Sequence, residues 1–418
     1  MCGIVGGFGL ITNSFEIEES LTSLIHRGPD SQGFKEFPGK CFMGVARLAM
    51  TDPHPRSDQP LVSGNSDHAI SFNGEIYNFR DLRKSLIEEG VVFDTESDTE
   101  VLLHMMRTKG VQALSQLEGM FAFAYYSTKD EQLIIARDKL GKKPLYFSIQ
   151  DQNIYWSSSL ELLAKLMRIN YESNEAIFDY MSLGYQLDPN TGYPGIYALL
   201  PGHYLEFNRE SGNQAPITFP KSSTKKSSPT NLREELWKAI QVRIDGHERV
   251  ALSLSGGVDS TLIALGLREL GVSTNTFSAF WSDSDKSRYN SDAEHAEKIA
   301  NTLGHEFTPV DISINFNLRD NLKSFLNAME EPNNNPSGLS SMELYGAVAN
   351  KGIRLLLTGD GSDEIFGGYA RHGLVAKVPR LLNVNNSLLD SLLFSRSSGS
   401  KRAISNVIAS QIKISHPK

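Results

Sequence analysis

Residues 250–260 read Val250-Ala251-Leu252-Ser253-Leu254-Ser255-Gly256-Gly257-Val258-Asp259-Ser260. The first five form an apolar run of strand length, and Thr261 to Leu270 continue with helical periodicity. A buried strand that passes through a glycine-rich loop into a helix is the building unit of an open α/β sheet. Two glycines let the backbone come close to a ligand. The loop N–H groups and the helix N-terminus then favour an anion. Ser255 and Ser260 add hydroxyl donors. Asp259 would repel bare phosphate, so its expected use is to hold Mg²⁺ that bridges phosphate oxygens. No lysine lies in the loop, which separates it from a Walker A motif.

The same alternation extends outward from this loop. Leu232 to Ile244 reads as a helix with Leu236, Ala239, Ile240 and Arg243 near one face. Thr276 to Phe280 reads as a second strand, Ala293 to Leu303 as a helix, and Arg354 to Thr358 as a third buried strand. The pattern predicts a parallel sheet with helices on its faces and a ligand at the carboxyl ends of the strands. The third strand leads into Thr358-Gly359-Asp360-Gly361-Ser362-Asp363-Glu364-Ile365-Phe366-Gly367-Gly368-Tyr369. Three acidic residues within five positions, interleaved with glycine, suit Mg²⁺–nucleotide and an amine-like or developing positive group.

Upstream the character changes. Residues 209–231 are poor in apolar side chains and include Lys221-Ser222-Ser223-Thr224-Lys225-Lys226-Ser227-Ser228-Pro229, the composition of a linker. Before it, strand-like runs such as Gly3 to Phe8, Ala69 to Phe72 and Phe121 to Tyr126 are broken by turn residues. Helical patterns lie between them, Phe79 to Glu89 with Leu82, Leu86 and Ile87 on one face, and Asp98 to Met106. This half predicts strands layered with helices rather than a βαβ alternation. The whole chain is thus read as two domains, 1–208 and 232–418, of mixed α/β and α+β class.

Composition fits a two-domain enzyme of 418 residues with 40% hydrophobic and 22% charged side chains. A net charge of −8 (41 basic, 49 acidic) argues against a general nucleic-acid surface. Only Cys2 and Cys41 are cysteines, so no disulfide framework is expected. No apolar run approaches the roughly 20 residues of a membrane helix, and the start lacks signal-peptide features. A cytoplasmic setting is expected.

The chain opens Met1-Cys2-Gly3-Ile4-Val5-Gly6. Removal of Met1 before a small residue would leave a thiol and a free α-amine on one residue. The thiolate is the reactive form, and an amine with a reference pKa of roughly 7.7–8.0 can take its proton. Cys2 is therefore a candidate for nucleophile and base together, as in N-terminal-threonine hydrolases.

Taken in order, these motifs resemble the glutamine-dependent asparagine synthetase family, from residue 1 to about residue 372. The first half resembles a class II glutamine amidotransferase, which implies an N-terminal-nucleophile hydrolase of αββα layers with Cys2 as nucleophile. Arg47-Leu48-Ala49-Met50-Thr51 matches the segment whose arginine grips the glutamine carboxylate, for which a guanidinium fork is suited. Phe72-Asn73-Gly74-Glu75-Ile76-Tyr77-Asn78 matches the oxyanion segment. The Asn73 amide and the Gly74 N–H would stabilise the tetrahedral oxyanion, an effect of roughly 3–4 kcal/mol per donor. Leu48, Thr51 and Glu75 fall among the glutamine contacts, and Asp98 matches the carboxylate that holds the glutamine amino group. Ala136-Arg137-Asp138 with Gly141-Lys142-Lys143-Pro144-Leu145-Tyr146, and Leu200-Pro201-Gly202-His203-Tyr204, are further signatures.

The second half is similar to the family's ATP-pyrophosphatase domain. The resemblance implies ATP contacts at Leu254, Ser255, Gly256, Gly257, Asp259, Ser260, Ala279, Thr358 and Gly359. It implies Mg²⁺ at Asp259 and Asp363, and a role for Asp360 in forming an aspartyl-adenylate. Glu330-Glu331-Pro332 with Asn335-Pro336-Ser337 matches the acceptor-site segment. L-glutamine and L-aspartate are the implied substrates, and a homodimer is possible. Two departures stand out. Ser157-Ser158-Ser159-Leu160-Glu161 replaces an Ala-Ser-Glu pattern. The helical tail in which relatives carry a lysine motif has no counterpart in 373–418, where Lys377 and Lys401 lie in no matching context. The alternatives are a different acceptor acid such as a sugar uronic acid, a glutaminase with an inactive synthetase half, or a fragment.

Overall fold

The computed structural model of the chain describes residues 1–9, 18–208, 215–221, 231–282, 290–312, 318–335, 337–369 and 372–373. Most of the stretch read as a linker, Pro336, and the tail with Lys377 and Lys401 lie outside the described residues. The chain divides into two compact units, Met1–Thr230 with Leu326–Asn333, and Asn231–Phe325 with Asn334–Lys418.

The first unit holds twelve strands among its described residues: β1 (Gly3–Phe8), β2 (Ser31–Phe37), β3 (Cys41–Arg47), β4 (Leu61–Val62), β5 (His68–Ile76), β6 (Gly119–Ser127), β7 (Gln132–Arg137), β8 (Tyr146–Gln150), β9 (Asn153–Ser157), β10 (Ile196–Ala198), β11 (His203–Asn208) and β12 (Ile217–Thr218). They form two antiparallel sheets, ordered β10-β8-β9-β1-β3-β2 and β12-β11-β7-β6-β5-β4. β12 pairs with β11 inside the stretch read as a linker.

Alternation along the strands sorts side chains between layers. Ile4, Met43, Val45, Ala69, Ala122, Ala124, Ile135 and Trp156 fill the space between the sheets. Ile70, Phe72, Phe121 and Phe123 face helices α1 (Phe79–Glu88) and α2 (Asp98–Lys109). On the outer face of the other sheet, Val5 and Phe42 pack with Leu162 of α3 (Leu160–Met167). The helix α4 (Asn174–Leu183) follows in the chain. The result is the helix–sheet–sheet–helix layering expected from the first half. One detail differs. On α1, Leu82 and Leu86 are buried but Ile87 is 53% exposed, because one residue around the helix is a turn of about 100°.

The second unit contains α5 (Leu232–Ile244), β13 (Val250–Ser253), α6 (Val258–Glu269), β14 (Asn275–Phe280), α7 (Ser291–Leu303), β15 (Glu306–Asp311), α8 (Leu318–Met329), α9 (Ser337–Asn350), β16 (Leu355–Leu357) and α10 (Ser362–Phe366). The last residues of α8 belong to the first unit. The sheet is parallel, ordered β15-β14-β13-β16. Ile240, Ala264, Leu267, Ala296 and Ala300 cover one face, and Leu344 and Val348 of α9 cover the other. β15 is a strand the sequence reading lacked. It contains Pro309, whose missing N–H costs little at a sheet edge. The helix α6 starts three residues earlier than read, which puts Asp259 and Ser260 in its first turn.

Candidate functional site

Cys2 immediately precedes β1 and is 7% exposed. The backbone of Leu48, just beyond β3, flanks its sulfur. The Leu48 N–H donates to Cys2 Sγ at 3.4 Å, and the thiol lies 3.7 Å from the Leu48 carbonyl. Burial pushes the Cys2 thiol up. The Leu48 N–H, the amino terminus and Arg47 pull it back, whereas Asp98 pushes it further. The amino terminus, which is that of Met1, is held down to about 6, mainly by burial.

On β5, the odd-numbered side chains face the layer between the sheets, as Ala69 does beside Cys2. Asn73 and Glu75 share that parity. Asn73 is fully buried, and among the described residues neither its amide nitrogen nor its amide oxygen has a hydrogen-bond partner. A buried amide left unpaired costs free energy, so it calls for a partner outside the protein's own atoms. Gly74 cannot be replaced easily, since a Cβ there would lie 2.2 Å from the Met120 carbonyl oxygen.

Asp98 opens α2, where the Ser97 hydroxyl caps the helix by accepting from Glu100 N–H. Its two oxygens accept from the Thr51 hydroxyl at 2.8 Å and from Ile76 N–H at 3.0 Å. Burial, assisted by Glu75, raises its carboxyl to about 6. Arg47 is 5% exposed. Its guanidinium donates to Asp58 at 2.7 Å and to the Asp52 carbonyl. Leu48 thus touches Cys2, Arg47 and Asp98 act on its thiol through charge, and Thr51 reaches Asp98, while Asn73, Gly74 and Glu75 share β5: three stretches besides Cys2 itself.

Two cations of this region had no assigned role in the sequence reading. Arg27 donates from Nε to the Cys2 carbonyl at 3.4 Å, and its Nη2 is buried without a partner among the described residues. Lys143 is 6% exposed. The signature that contains it is structural at its start. Asp138 accepts from the backbone N–H groups of Phe121, Leu140, Lys142 and Lys143. Arg137 donates to the carbonyls of Lys143, Gly141 and Leu199. In the same unit, Glu330 accepts from the Ser159 hydroxyl at 2.6 Å and from Leu160 N–H, so it caps α3.

In the second unit a cavity of about 270 Å³ opens at the carboxyl ends of β13 and β16. Ser255, Gly257, Asp259, Ser260, Thr358, Gly359, Asp360 and Asp363 line it, with Glu364 beside them. The two loops are joined by the Ser362 hydroxyl, which donates to Asp259 at 2.7 Å. Ser255 and Ser260 hydroxyls lie 3.1 Å apart. Three expected contacts do not line the cavity. Leu254 is 1% exposed and packs into the core, and Ala279 packs beside Phe277 on the other face of the sheet. Gly256 bends the loop at φ +78°, where a Cβ would lie 2.8 Å from that of His295.

Four carboxylates and no lysine or arginine line this cavity among the described residues. Hard oxygen donors beside a helix N-terminus suit a phosphate-bound Mg²⁺. No group of three acidic, histidine or cysteine side chains among the described residues converges on one point.

The family profile described as a glutamine amidotransferase domain matches residues 1–217, and that described as asparagine synthase matches residues 231–411. The chain is 32% identical to asparagine synthetase [glutamine-hydrolyzing] 1 of Bacillus subtilis, over 88% of this chain and 59% of that one. It is 27% identical to the amidase chry2 of Gibberella zeae, over 85% of this chain and 55% of that one. A putative asparagine synthetase [glutamine-hydrolyzing] 2 of Methanocaldococcus jannaschii is 27% identical, over 93% and 81%. The chain thus spans less than two thirds of the length of the first two. No described helix is long and apolar enough to cross a membrane. With a glutamine amidotransferase domain over residues 1–217 followed by an asparagine synthase domain over residues 231–411, the chain belongs to the glutamine-hydrolysing asparagine synthetase family.

Proposed function

We propose that this chain hydrolyses glutamine at Cys2 and uses the ammonia to amidate aspartate to asparagine at the expense of ATP. Residues 1–208 are read as the glutaminase, 232–418 as the synthetase and 209–231 as the link. The observation that carries the reading is the fully buried Asn73 amide, unpaired on the same interlayer face as the Cys2 thiol.

After removal of Met1, the Cys2 thiol would pass its proton to its own α-amine, and sulfur would attack the glutamine side-chain carbonyl. The Asn73 amide N–H and the Gly74 N–H would receive the oxyanion. The protonated amine would return its proton to the leaving ammonia, and water would cleave the thioester to glutamate. Asp98 would hold the substrate ammonium and Arg47 its carboxylate. At the second site the Ser255–Ser260 loop would hold the triphosphate of ATP, with Ser255 and Ser260 hydroxyls as donors. Asp259 and Asp363 would hold Mg²⁺, which neutralises phosphate charge when bound. Aspartate would be activated there as its β-adenylate with loss of pyrophosphate. Ammonia would displace AMP, and Asp360 lies in the cavity where this chemistry would occur. Two free thiols suit a reducing cytoplasm.

A second reading keeps both sites and changes the acceptor. The acidic cavity suits the amino group of aspartate but offers its α-carboxylate no cation among the described lining. Amidases are also among the relatives. The deciding experiment supplies purified protein with ATP, Mg²⁺, aspartate and ammonium and measures pyrophosphate and asparagine. Both products are expected. Their absence, with glutamine hydrolysis intact, would refute aspartate as acceptor.

A further inference from the structure

The strand β5 runs beside β6 without a bulge, from His68 opposite Ser127 to Ile76 opposite Gly119. Its side chains therefore alternate between the two faces of the sheet along the whole strand. Ile70 and Phe72 go to the helices, and Ala69 goes to the space between the sheets. Ser71 and Asn73 share the parity of Ala69. Their partners on β6 are Ala124 and Ala122, which line that same space. Ser71 and Asn73 are both fully buried. Among the described residues, the Ser71 hydroxyl and both ends of the Asn73 amide have no hydrogen-bond partner.

Side chains two residues apart on one strand face stand about 7 Å apart. That is beyond a direct hydrogen bond of about 3 Å. It is within reach of two such bonds in series, since asparagine is longer than serine and can lean toward it. The two alanines opposite carry only methyl groups, which leaves room beside them. A buried water ordinarily sits where it bonds about two to four groups that the protein leaves unsatisfied. We propose that Ser71 is a positioning residue for Asn73, acting through a buried water bound between the Ser71 hydroxyl and the Asn73 amide oxygen. This rests on the glutaminase reading above. An asparagine amide has a donor end and an acceptor end, and its last torsion is broad and roughly two-fold. A water on the oxygen fixes which end faces the oxyanion. The N–H is then aimed before the reaction starts, whereas a rotated amide would present its oxygen and repel the developing charge.

The test is steady-state glutamine hydrolysis by the full chain. Ser71→Ala is expected to lower kcat about five- to tenfold with KM little changed, because the lost hydrogen bond acts on the oxyanion and not on bound glutamine. In an Asn73→Ala background the same substitution should have no further effect. Ser148→Ala is the control. Ser148 is as deeply buried, and its hydroxyl has no partner among the described residues. It stands on β8 between Phe147 and Ile149, which face the space between the sheets, so Ser148 faces the other way. Its removal should leave kcat unchanged. If Ser71→Ala does not melt cooperatively, Ser71→Thr and Ser71→Val make the same comparison, since they differ in the hydroxyl at nearly equal volume, and the threonine variant should be the faster. An unchanged kcat in Ser71→Ala overturns the proposal. So does an equal loss in Ser148→Ala, or a full additional loss in the Asn73→Ala background. A crystal structure of the parent should show an ordered water within hydrogen-bond distance of both side chains, and a dry site overturns the proposal. The water present in a parent that does not hydrolyse glutamine would refute the glutaminase reading, and with it the part of Ser71 in catalysis, while the water site stands.

Discussion

Replacing Asp98 with asparagine separates substrate grip from nucleophile reactivity. The Asp98 oxygens accept from Thr51 Oγ1 and Ile76 N. Asparagine has one acceptor oxygen, which must face Ile76 N–H. Its NH₂ can then donate to the Thr51 hydroxyl, which accepts as readily as it donates. The local frame therefore survives, but the negative charge for the glutamine ammonium does not. Removing one member of a buried charge pair costs about 2–5 kcal/mol, and a neutral hydrogen bond returns about 1. A net loss of about 1–4 kcal/mol lowers kcat/KM for glutamine ~5- to ~1000-fold. Stability moves the other way. The Asp98 carboxyl is raised to about 6, so its stabilising contribution is complete below its unfolded value of 3.8 and is lost as pH rises through 6. At neutral pH the variant escapes that penalty, which offsets the weaker hydrogen bonds. Asp98 also pushes the Cys2 thiol up, so its neutralisation should leave alkylation by iodoacetamide as fast or faster. Steady-state glutaminase assays and alkylation rates on one preparation test this. Parallel loss of both would mean that the substitution disrupts the site, and unchanged kcat/KM would mean that Asp98 does not hold substrate.

Asn73→Ala should lower glutaminase kcat about 10²- to 10³-fold. Its melting temperature should hold or rise, because the amide it removes is buried and unpartnered; a strongly lowered melt would contradict this. Glu330→Ala should cost about 1–2 kcal/mol in urea unfolding of the first unit, since the cap of α3 is lost. Glu330→Gln should recover part of it through its remaining acceptor oxygen. Gly256→Ala combines a left-handed φ of +78° with a Cβ 2.8 Å from that of His295. It should reduce ATP-dependent pyrophosphate release while leaving glutamine hydrolysis unchanged, as separate assays of the two reactions would show.

Much of the candidate chemistry was legible because it sits in contiguous motifs. The Ser255–Ser260 loop carries its strand, its turn glycine and its helix start within a dozen residues, so local propensity and site geometry agree. Asn73 and Gly74 likewise ride one strand. What escaped notice was set by neighbours distant in sequence. β15 was not read from the sequence; it carries Pro309, which an edge position tolerates, and edges are a property of the assembled sheet. Leu254 belongs to the motif yet serves the core.

By itself the sequence determined the mixed α/β class and the succession of an amidotransferase half and an asparagine synthase half, because periodicity, turn chemistry and short motifs act over a few residues. The tertiary structure alone decided that Asp98 meets Thr51 and Ile76, that Leu48 N–H reaches Cys2 Sγ, and that Lys143 is buried. Desolvation and charge coupling depend on which distant segments exclude water from one another, and that is fixed only when the sheets have packed.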